Sequence, residues 1–304
     1  MENLYSTEKF QKINEIDGLF PFNFILNDGD KLQSEIHGIS NENKATYGIY
    51  APFWMPEITL KRSDINQLDV FVLNLISLHK EEKNISIEIR LPPSFYSTSL
   101  DILKFILLKH GFKLSNIALW QTLKIKGFEC KLSYENSLKY SSRKELKNFS
   151  KLYQFNLREI DITDKSAIKA SYQIIDLNRR SLGTCLKYSL NYLFNLIAIE
   201  PNRIKIFDLI VEDRHVASAI CHETRDDILY VAAWGDANHN LNKSPMYIFG
   251  SELTEYCIQN KYSYLDFGIS SDLRKYTPNL YKFKENIGCF ASLQETFYLD
   301  LLRL

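Results

Sequence analysis

The sequence predicts a mixed α/β (α+β) protein of two units, each a mixed, largely antiparallel twisted sheet flanked by helices. Three observations lead to this prediction. Apolar and polar residues alternate from Ile85 to Leu91, which is the period of a half-buried strand. Apolar residues recur at helical spacing in several segments, among them 64–80 and 164–182. Three apolar stretches between residues 204 and 234 are separated by short polar turns, which predicts an antiparallel meander.

The first half alternates predicted strands and helices. Strands are expected at 44–52, 85–91 and 117–125, with helices at 64–80 and 99–110 between them. A polar connection over residues 127–142 then leads into a helix on Leu146, Phe149 and Tyr153. The predicted units are therefore residues 1–140 and 141–304.

The second half has a different order of elements. Two helices, 164–182 and 188–199, precede the three strands of the meander. Ser244-Pro245 is expected to open the next helix, because Pro is favoured in a first helical turn. A strand from Tyr262 to Gly268 follows it.

Composition excludes several classes of function. The 304 residues include 37 basic and 37 acidic residues, so no global charge favours DNA, and transfer RNA is disfavoured as a partner. No stretch approaches the ~20 apolar residues of a membrane span, and the first residues lack a secretory signal. The 5 cysteines are scattered, without metal spacing to the 6 histidines. A cytoplasmic protein with free thiols and no metal is expected.

The familiar catalytic motifs are absent from the sequence. It has no Gly-x-x-x-x-Gly-Lys-Ser/Thr phosphate loop, no Gly-x-Gly-x-x-Gly, no Gly-x-Ser-x-Gly and no His-Glu-x-x-His. The first two bind nucleotides, and the others belong to serine hydrolases and zinc peptidases. The chemistry must therefore be sought in less general motifs.

Two elements near the end of the chain carry a family resemblance. Tyr262-Ser-Tyr-Leu-Asp-Phe-Gly268 precedes Phe283-Lys-Glu-Asn-Ile-Gly288, and together they resemble the C-terminal signature of FemAB-like acyltransferases of the GNAT superfamily. Earlier segments resemble the N-terminal unit of such tandem proteins and its link to the second unit: Leu91-Pro-Pro-Ser-Phe-Tyr96, Lys109-His-Gly-Phe112, and the basic helix start from Tyr140 through Lys147. The resemblance covers most of the chain, and the order of the motifs carries it.

The resemblance implies two tandem GNAT-like units. Residues 1–140 would form a degenerate unit, and residues 141–304 the acyltransferase unit. The implied reaction moves an acyl group from a thioester donor, acyl-CoA (acetyl-CoA), to an amine of a small acceptor such as an amino sugar or amino acid. A role in building the cell wall or surface polysaccharide is implied by the family alone.

The donor site is expected where two strands of a GNAT sheet diverge, here 228–234 and 262–268. Trp234 and Gly235 end the first of these strands, and Gly allows close backbone approach. The helix at Ser244 would present free N–H groups to phosphate, with donors from its preceding segment: His239, Asn240, Asn242 and Lys243. The usual GNAT loop, Arg/Gln-x-x-Gly-x-Gly/Ala, is absent, as it generally is in FemAB-like proteins. An ordinary core tryptophan, turn and helix cap are the alternatives.

Lys284 is the first candidate for catalysis. By resemblance, the lysine of the Phe283-Lys284 pair stabilises negative charge that develops on the acyl carbonyl. Asp266 is a candidate base, and the alternative is a structural ion pair with Lys284 or Arg274. Proton donors to the leaving thiolate are sought among the tyrosines, with Tyr281 and Tyr276 as candidates.

Arginines are the candidates for an anionic acceptor, because guanidinium binds phosphate in a bidentate manner. The three candidates are Arg143, Arg179 and Arg180. For the last two, stabilisation of a helix C-terminus is the alternative. Trp54, beside Phe53 in a Pro-flanked loop, is a candidate for stacking on a sugar, or else an anchor of that loop.

Two rival functions remain open at this point. One is an enzyme that uses aminoacyl transfer RNA, which the zero net charge and the missing coiled-coil arm of that group disfavour. The other is a catalytically silent tandem GNAT protein that binds a ligand or partner, which the absent phosphate loop favours. The acyl group and the oligomeric state are left open.

Overall fold

The structure is a computed structural model in which the chain forms two compact units. The N-terminal unit comprises Glu2–Trp120, Ser271–Lys275 and Ser292–Leu304, and the C-terminal unit comprises Gln121–Ser270 and Tyr276–Ala291. The structure describes Leu4, Phe10 and residues 20–28, 31–41, 44–47, 59–60, 65–97, 99–186, 188–237, 241–272 and 275–303.

Fourteen strands and eight helices are described within these ranges. The strands are β1 (Phe20–Asp28), β2 (Lys31–Asn41), β3 (Lys44–Tyr47), β4 (Thr59–Leu60), β5 (Ser86–Arg90), β6 (Lys113–Lys124), β7 (Phe155–Glu159), β8 (Ile204–Val211), β9 (Arg214–Arg225), β10 (Ile228–Asp236), β11 (Tyr264–Ile269), β12 (Ser271–Asp272), β13 (Lys275–Tyr276) and β14 (Phe290–Asp300). The helices are α1 (Ile65–Glu81), α2 (Leu100–Lys109), α3 (Lys131–Ser137), α4 (Tyr140–Leu152), α5 (Lys165–Ser181), α6 (Leu190–Ile199), α7 (Met246–Gln259) and α8 (Pro278–Asn286).

The strand order of the N-terminal unit is β1-β2-β3-β5-β14-β6, with β4 paired to β2. β1, β2 and β3 form an antiparallel meander, and β5 then pairs with β3 in parallel after helix α1. The last strand, β14, runs antiparallel to β5, from Thr296 opposite Arg90 to Asp300 opposite Ser86. This unit therefore depends on residues from both ends of the chain.

The C-terminal unit repeats the same arrangement with the order β6-β11-β10-β9-β8-β7. β8, β9 and β10 form the predicted antiparallel meander, and β11 pairs with β10 in parallel after helix α7. The turn from β8 to β9 uses Glu212 and Asp213, both at positive φ (48° and 60°), which matches the twist of a tight hairpin. The predicted fold class, a mixed and largely antiparallel sheet with flanking helices, is confirmed.

Helix α5 brings polar side chains to the sheet of this unit. Asp164 caps its start by accepting hydrogen bonds from the N–H groups of Ser166 and Ala167, each at 3.0 Å, and Gly183 follows its end at φ 72°. The helix packs on β8, β9 and β10. Its last turn therefore lies at the end of β10.

A buried carboxylate anchors α5 to the sheet. Asp208 of β8 accepts hydrogen bonds from Ser171 of α5 at 2.7 Å and from Ser218 of β9 at 2.9 Å. It also pairs with His215 at 2.9 Å and Arg158 at 3.0 Å, and the His215 and Arg158 contacts help to hold the pKa of Asp208 below its usual value although burial opposes them. The network fixes the helix that carries two of the residues at the cavity described below.

Several predicted boundaries differ from the observed ones. The predicted polar connection over 127–142 contains helix α3, and strands β1, β2, β7 and β14 were not predicted. The compact units also part at residue 120, within β6, rather than after residue 140, because β14 returns to the N-terminal unit. Among the described residues, no helix has both the length and the apolar character needed to cross a bilayer.

Candidate active site

The parallel pairing of β10 and β11 stops early. Three residue pairs are in register, from Ile228 opposite Tyr264 to Tyr230 opposite Asp266. Both strands then continue, β10 to Asp236 and β11 to Ile269, with no further pair between them. The strands therefore diverge after Tyr230, which leaves this edge of β10 without β11 as a partner.

A cavity of about 390 Å³ occupies this divergence, which lies within the size range typical of small-molecule sites. It belongs entirely to the C-terminal unit. Its wall is largely apolar, with polar groups contributed mainly by α5, β10 and α8. The lining residues are Asn178, Arg179, Leu182, Tyr230, Val231, Ala232, Ala233, Trp234, Gly235, Asp236, Ser244, Met246, Phe267, Ile269, Leu280, Phe283 and Lys284.

Lys284 lies on helix α8, and it is almost fully buried. Its Nζ donates hydrogen bonds to three backbone carbonyl oxygens at the end of β11, those of Phe267 (2.7 Å), Gly268 (3.0 Å) and Ile269 (2.7 Å). Burial lowers the pKa of the ammonium to about 7, and Cys289 and Asp266 oppose this shift. The residue lines the cavity, with its polar end held by the backbone.

Asp266 is fully buried in β11 and is not among the residues that line the cavity. Its Oδ1 accepts hydrogen bonds from the Thr122 hydroxyl at 3.0 Å and from the backbone N–H of Gly268 at 2.9 Å. Gly268 has φ 68°, a conformation that favours glycine. The carboxylate thus holds the backbone at Gly268, within β11, and its role as a base or in an ion pair stays a prediction.

The aromatic wall of the cavity centres on Trp234. Its ring lies 4.9 Å from the ring of Phe267 and 5.6 Å from that of Phe283, measured between centroids. Phe249 of α7 backs it at 6.3 Å. Trp234 and Phe283, both expected at the donor site, therefore meet at the cavity, in contacts that suit packing as well as ligand binding.

Gly235 and Asn178 are packed against each other beside the cavity. A Cβ on residue 235 would lie 2.8 Å from the Cβ, Cγ and Oδ1 atoms of Asn178. The Asn178 amide donates hydrogen bonds to the backbone oxygen of Asp236 at 3.0 Å and to its Oδ1 at 2.9 Å. Gly235 was expected to allow a close approach to its backbone, and the group that approaches it is the Asn178 side chain of α5.

The three candidate arginines lie in different places. Arg179 is half-buried, lines the cavity and directs its Nη2 to the carbonyl oxygen of Trp234 at 3.4 Å, and burial lowers its pKa. Arg180 is exposed and pairs with Asp176 on the same helix at 2.8 Å. Arg143 is exposed and donates to the carbonyl oxygen of Asn136 at 3.0 Å. Only Arg179 of the three is at the cavity.

Of the residues expected to bind the donor just before α7, the structure describes Asn242, Lys243 and Ser244, and among these three only Ser244 lines the cavity. The helix begins at Met246, whose N–H lies 3.4 Å from the Ser244 hydroxyl. Lys243 pairs with Glu145 of α4 at 3.2 Å. The backbone N–H of Asn242 donates a hydrogen bond at 3.0 Å to the hydroxyl of Tyr153, the residue that follows α4.

Among the tyrosines, the structure favours a residue that the sequence did not single out. Leu280, Phe283 and Lys284 form the face of α8 at the cavity, and Tyr281 lies off that face. Tyr230 instead lines the cavity where β10 and β11 part, and burial raises the pKa of its phenol. It is thus a neutral hydroxyl at the point of divergence, a position that follows from strand pairing and has no local sequence signal.

Some candidates fall outside the described residues: Phe53, Trp54, His239, Asn240 and Arg274. For Tyr276 only the backbone is described. Within the described part of the chain, no group of three or more His, Cys, Asp or Glu side chains is placed to hold a metal ion.

Solved structures with a similar fold identify the fold of this chain. No protein-family model matches the chain, and no curated protein matches it in sequence. FemX superimposes with a TM-score of 0.75 at 12% identity, over 97% of this chain and 92% of that one. L-PGS from Bacillus licheniformis gives 0.56 at 10% identity, over 98% and 92%. A tandem GNAT protein from the clavulanic acid biosynthesis pathway gives 0.53 at 7%, over 93% and 83%.

These similarities extend over nearly the whole of each chain, so the complete two-unit architecture is shared. The chain therefore has a FemAB-like GNAT fold, as the resemblance implied. At these identities the likeness concerns the fold. Function must be argued from the site.

Proposed function

We propose that the protein is an acyltransferase that moves an acyl group from a thioester donor, acyl-CoA, to the amine of a small acceptor such as an amino sugar or amino acid. The observation that carries this proposal is the divergence of β10 and β11 over a cavity of about 390 Å³. An extended acyl arm in this opening would run beside β10, whose edge beyond Tyr230 is not paired with β11 in the described part of the chain.

The reaction forms one C–N bond and breaks one C–S bond, and it moves two protons. The amine nitrogen attacks the thioester carbonyl carbon, a C–N bond forms, and the C–S bond breaks. The nitrogen loses a proton, and the departing thiolate takes one up. The site must therefore polarise the carbonyl, receive a proton on the amine side and deliver one on the thiolate side.

Three groups at the cavity match these tasks. The buried charge of Lys284 lies at the end of β11 and favours negative charge that develops on the acyl oxygen, because a cation acts strongly in a poorly solvated cleft. Tyr230, held neutral by burial, supplies the proton to the thiolate. Asp236, which lines the cavity, receives the amine proton directly or through water.

Arg179 and Ser244 are assigned to binding. Arg179 is the cavity arginine and offers its guanidinium to an anionic group on the acceptor. Ser244 lies beside the first turn of α7, where free backbone N–H groups favour a phosphate of the donor. One similar structure, the tandem GNAT protein from the clavulanic acid biosynthesis pathway, is described as the form without AcCoA, and this mention supports a trial of that ligand here.

The test is titration calorimetry with acetyl-CoA and longer acyl-CoA thioesters, followed by turnover assays with amine acceptors. Ala232→Leu narrows the cavity from β10, whereas Ala170→Leu adds the same atoms to the exposed side of α5. We expect the first substitution to abolish binding and the second to leave it unchanged. Retained binding in Ala232→Leu would place the donor elsewhere.

Aminoacyl transfer RNA is the second donor in the same experiment. Binding of it, without acyl-CoA binding, would replace the proposed donor with an aminoacyl ester. Because such binding depends on phosphate contacts, it would weaken steeply with salt. Tight acyl-CoA binding without transfer to any amine would instead indicate a silent ligand-binding protein.

A further inference from the structure

All three N–H donors of the Lys284 ammonium are engaged by backbone carbonyl groups. An ammonium has three N–H donors, and here each backbone carbonyl from Phe267 to Ile269 accepts one hydrogen bond from Nζ at 2.7–3.0 Å. Direct donation to a substrate oxygen would require one of these bonds to break. The arrangement is therefore complete without a ligand.

These carbonyls lie immediately after the last residue of β11 that pairs with β10. The register ends at Asp266, and the bonded carbonyls belong to the next three residues. A parallel ladder needs carbonyl acceptors from both strands. Because successive carbonyls of an extended strand point to opposite sides, Lys284 occupies at least one acceptor that an extended β10–β11 ladder would use.

Two further contacts also oppose pairing of β11 with β10 beyond Asp266. The N–H of Gly268 is bonded to Oδ1 of Asp266, so a backbone donor of this segment is also engaged. The ring of Tyr230 lies against Gly268, since a Cβ there would be 2.9 Å from Tyr230 Cε2. The end of β11 is therefore held by side chains and kept from β10 by an aromatic ring.

Burial of a lysine is costly unless its charge is well satisfied. If the residue only filled this space, methionine, which has a similar length and no charge, would be buried at a lower cost in free energy. The cost of the ammonium suggests a role that an apolar side chain of the same shape does not supply.

We propose that Lys284 is a positioning residue that holds the carbonyl groups at the end of β11 and thereby keeps β10 and β11 apart, so that the channel for the acyl arm stays open in the free protein. This inference rests on the proposed function for the meaning of the channel. The separation of the strands is a property of the protein alone, and it is measured without any ligand.

The test is amide hydrogen exchange of the free protein at pH 6, followed by mass spectrometry of peptides that contain residues 231–236. In Lys284→Met the carbonyls lose their donor and become acceptors for β10. We expect exchange in these peptides to slow by about tenfold or more as the ladder extends. Lys282→Met, on the same helix but exposed and paired with Glu285, is the matched control and should leave exchange unchanged.

A second variant separates positioning from packing. In Lys284→Ala, addition of propylammonium returns the missing ammonium and its three carbons, and exchange in residues 231–236 should return towards that of the wild type. Propane-1-ol, which lacks the charge and two of the donors, should not restore it. If Lys284→Met proves too unstable for the measurement, this rescue decides the question.

The outcomes of the two proposals are distinguishable. Unchanged or faster exchange in Lys284→Met, with no effect of propylammonium on Lys284→Ala, would overturn the positioning role even if acyl-CoA binds. Slower exchange in Lys284→Met would support the positioning role even if the wild type binds no acyl-CoA, in which case only the proposed function would fall.

Discussion

Asn178 at the end of α5 fills the space that a side chain on Gly235 of β10 would need, and its amide holds the next residue, Asp236. The contact joins the helix that carries Arg179 to the strand that lines the cavity. Because both residues belong to the wall of the site, their packing decides the shape of its opening.

Gly235→Ala should therefore destabilise the protein and impair ligand binding. The added Cβ meets three atoms of Asn178 at 2.8 Å, and overpacking of this kind typically costs about 1–3 kcal/mol of unfolding free energy. Urea denaturation measures the loss. Gly250→Ala in α7 is the control, since its Cβ would be 3.5 Å from Ile287, an ordinary contact. Asn178→Gly removes all three atoms, so Gly235→Ala should cost much less in an Asn178→Gly background than in the wild type; an equal cost in the two backgrounds would show that the clash is not the cause.

Arg179→Met should weaken binding of an anionic acceptor while leaving the fold intact. Charge-assisted hydrogen bonds contribute about 1.5–3 kcal/mol, so the KM for the acceptor should rise by about 10–100-fold. Arg180→Met is a matched control on the same helix, because its guanidinium is exposed and paired with Asp176. Equal effects of the two substitutions on KM would contradict a specific role for Arg179.

Tyr230→Phe should lower turnover without closing the cavity. The substitution keeps the ring that lies against Gly268 and removes only the hydroxyl. Loss of a proton donor typically costs 10²–10⁴-fold in rate, so kcat should fall by about 100-fold or more, with little change in donor Kd. Tyr281→Phe, on α8 but away from the cavity-lining face, provides the comparison. A larger effect at Tyr281 would return the proton donor to the residue expected from sequence.

Because His222 is buried, we expect the free energy of unfolding to depend on pH. The residue is fully buried in β9, and burial lowers its pKa to about 3 from an ordinary value of 6.5. Between these values the unfolded chain binds a proton that the folded protein does not, so the free energy of unfolding falls as the pH drops from 6.5 towards 3. The slope attributable to this group is about 1.4 kcal/mol per pH unit.

The measurement for His222 is urea unfolding at several pH values in the wild type and in His222→Asn. The variant cannot take up this proton, so its stability should depend less steeply on pH below about 6. Parallel stability curves for the two proteins would show that His222 is not the group responsible.

The sequence predicts the meander and most helices because their signals are local, whereas the divergence of the strand pair was implied by the family resemblance alone. Alternation, helical spacing and turn residues each lie within one segment. The Phe283-Lys284 pair marks two residues that line the cavity, but it does not reveal that the ammonium bonds the backbone 15–17 residues away. Carbonyl oxygens are present at every residue, so no side-chain pattern identifies which of them a lysine will meet.

The missed elements share a dependence on distant pairing. β14 is placed by β5, about 200 residues earlier, and the pairing is invisible in either segment alone. Tyr230 is one of 18 tyrosines, and only the point where β10 leaves β11 distinguishes it. Arg179 and Arg180 are adjacent in sequence, and the rotation of about 100° per helical residue sends one to the cavity and the other to solvent.

The position of β14 has a consequence for biosynthesis. A nascent chain leaving the ribosome exposes β1–β6 long before residues 292–300 exist, and the gap between β5 and β6 must wait for them. Strand edges that wait in this way are prone to pair with other chains. Folding of the N-terminal unit therefore waits until residues 292–300 have been synthesised, and products that stall before them should aggregate through that unit first.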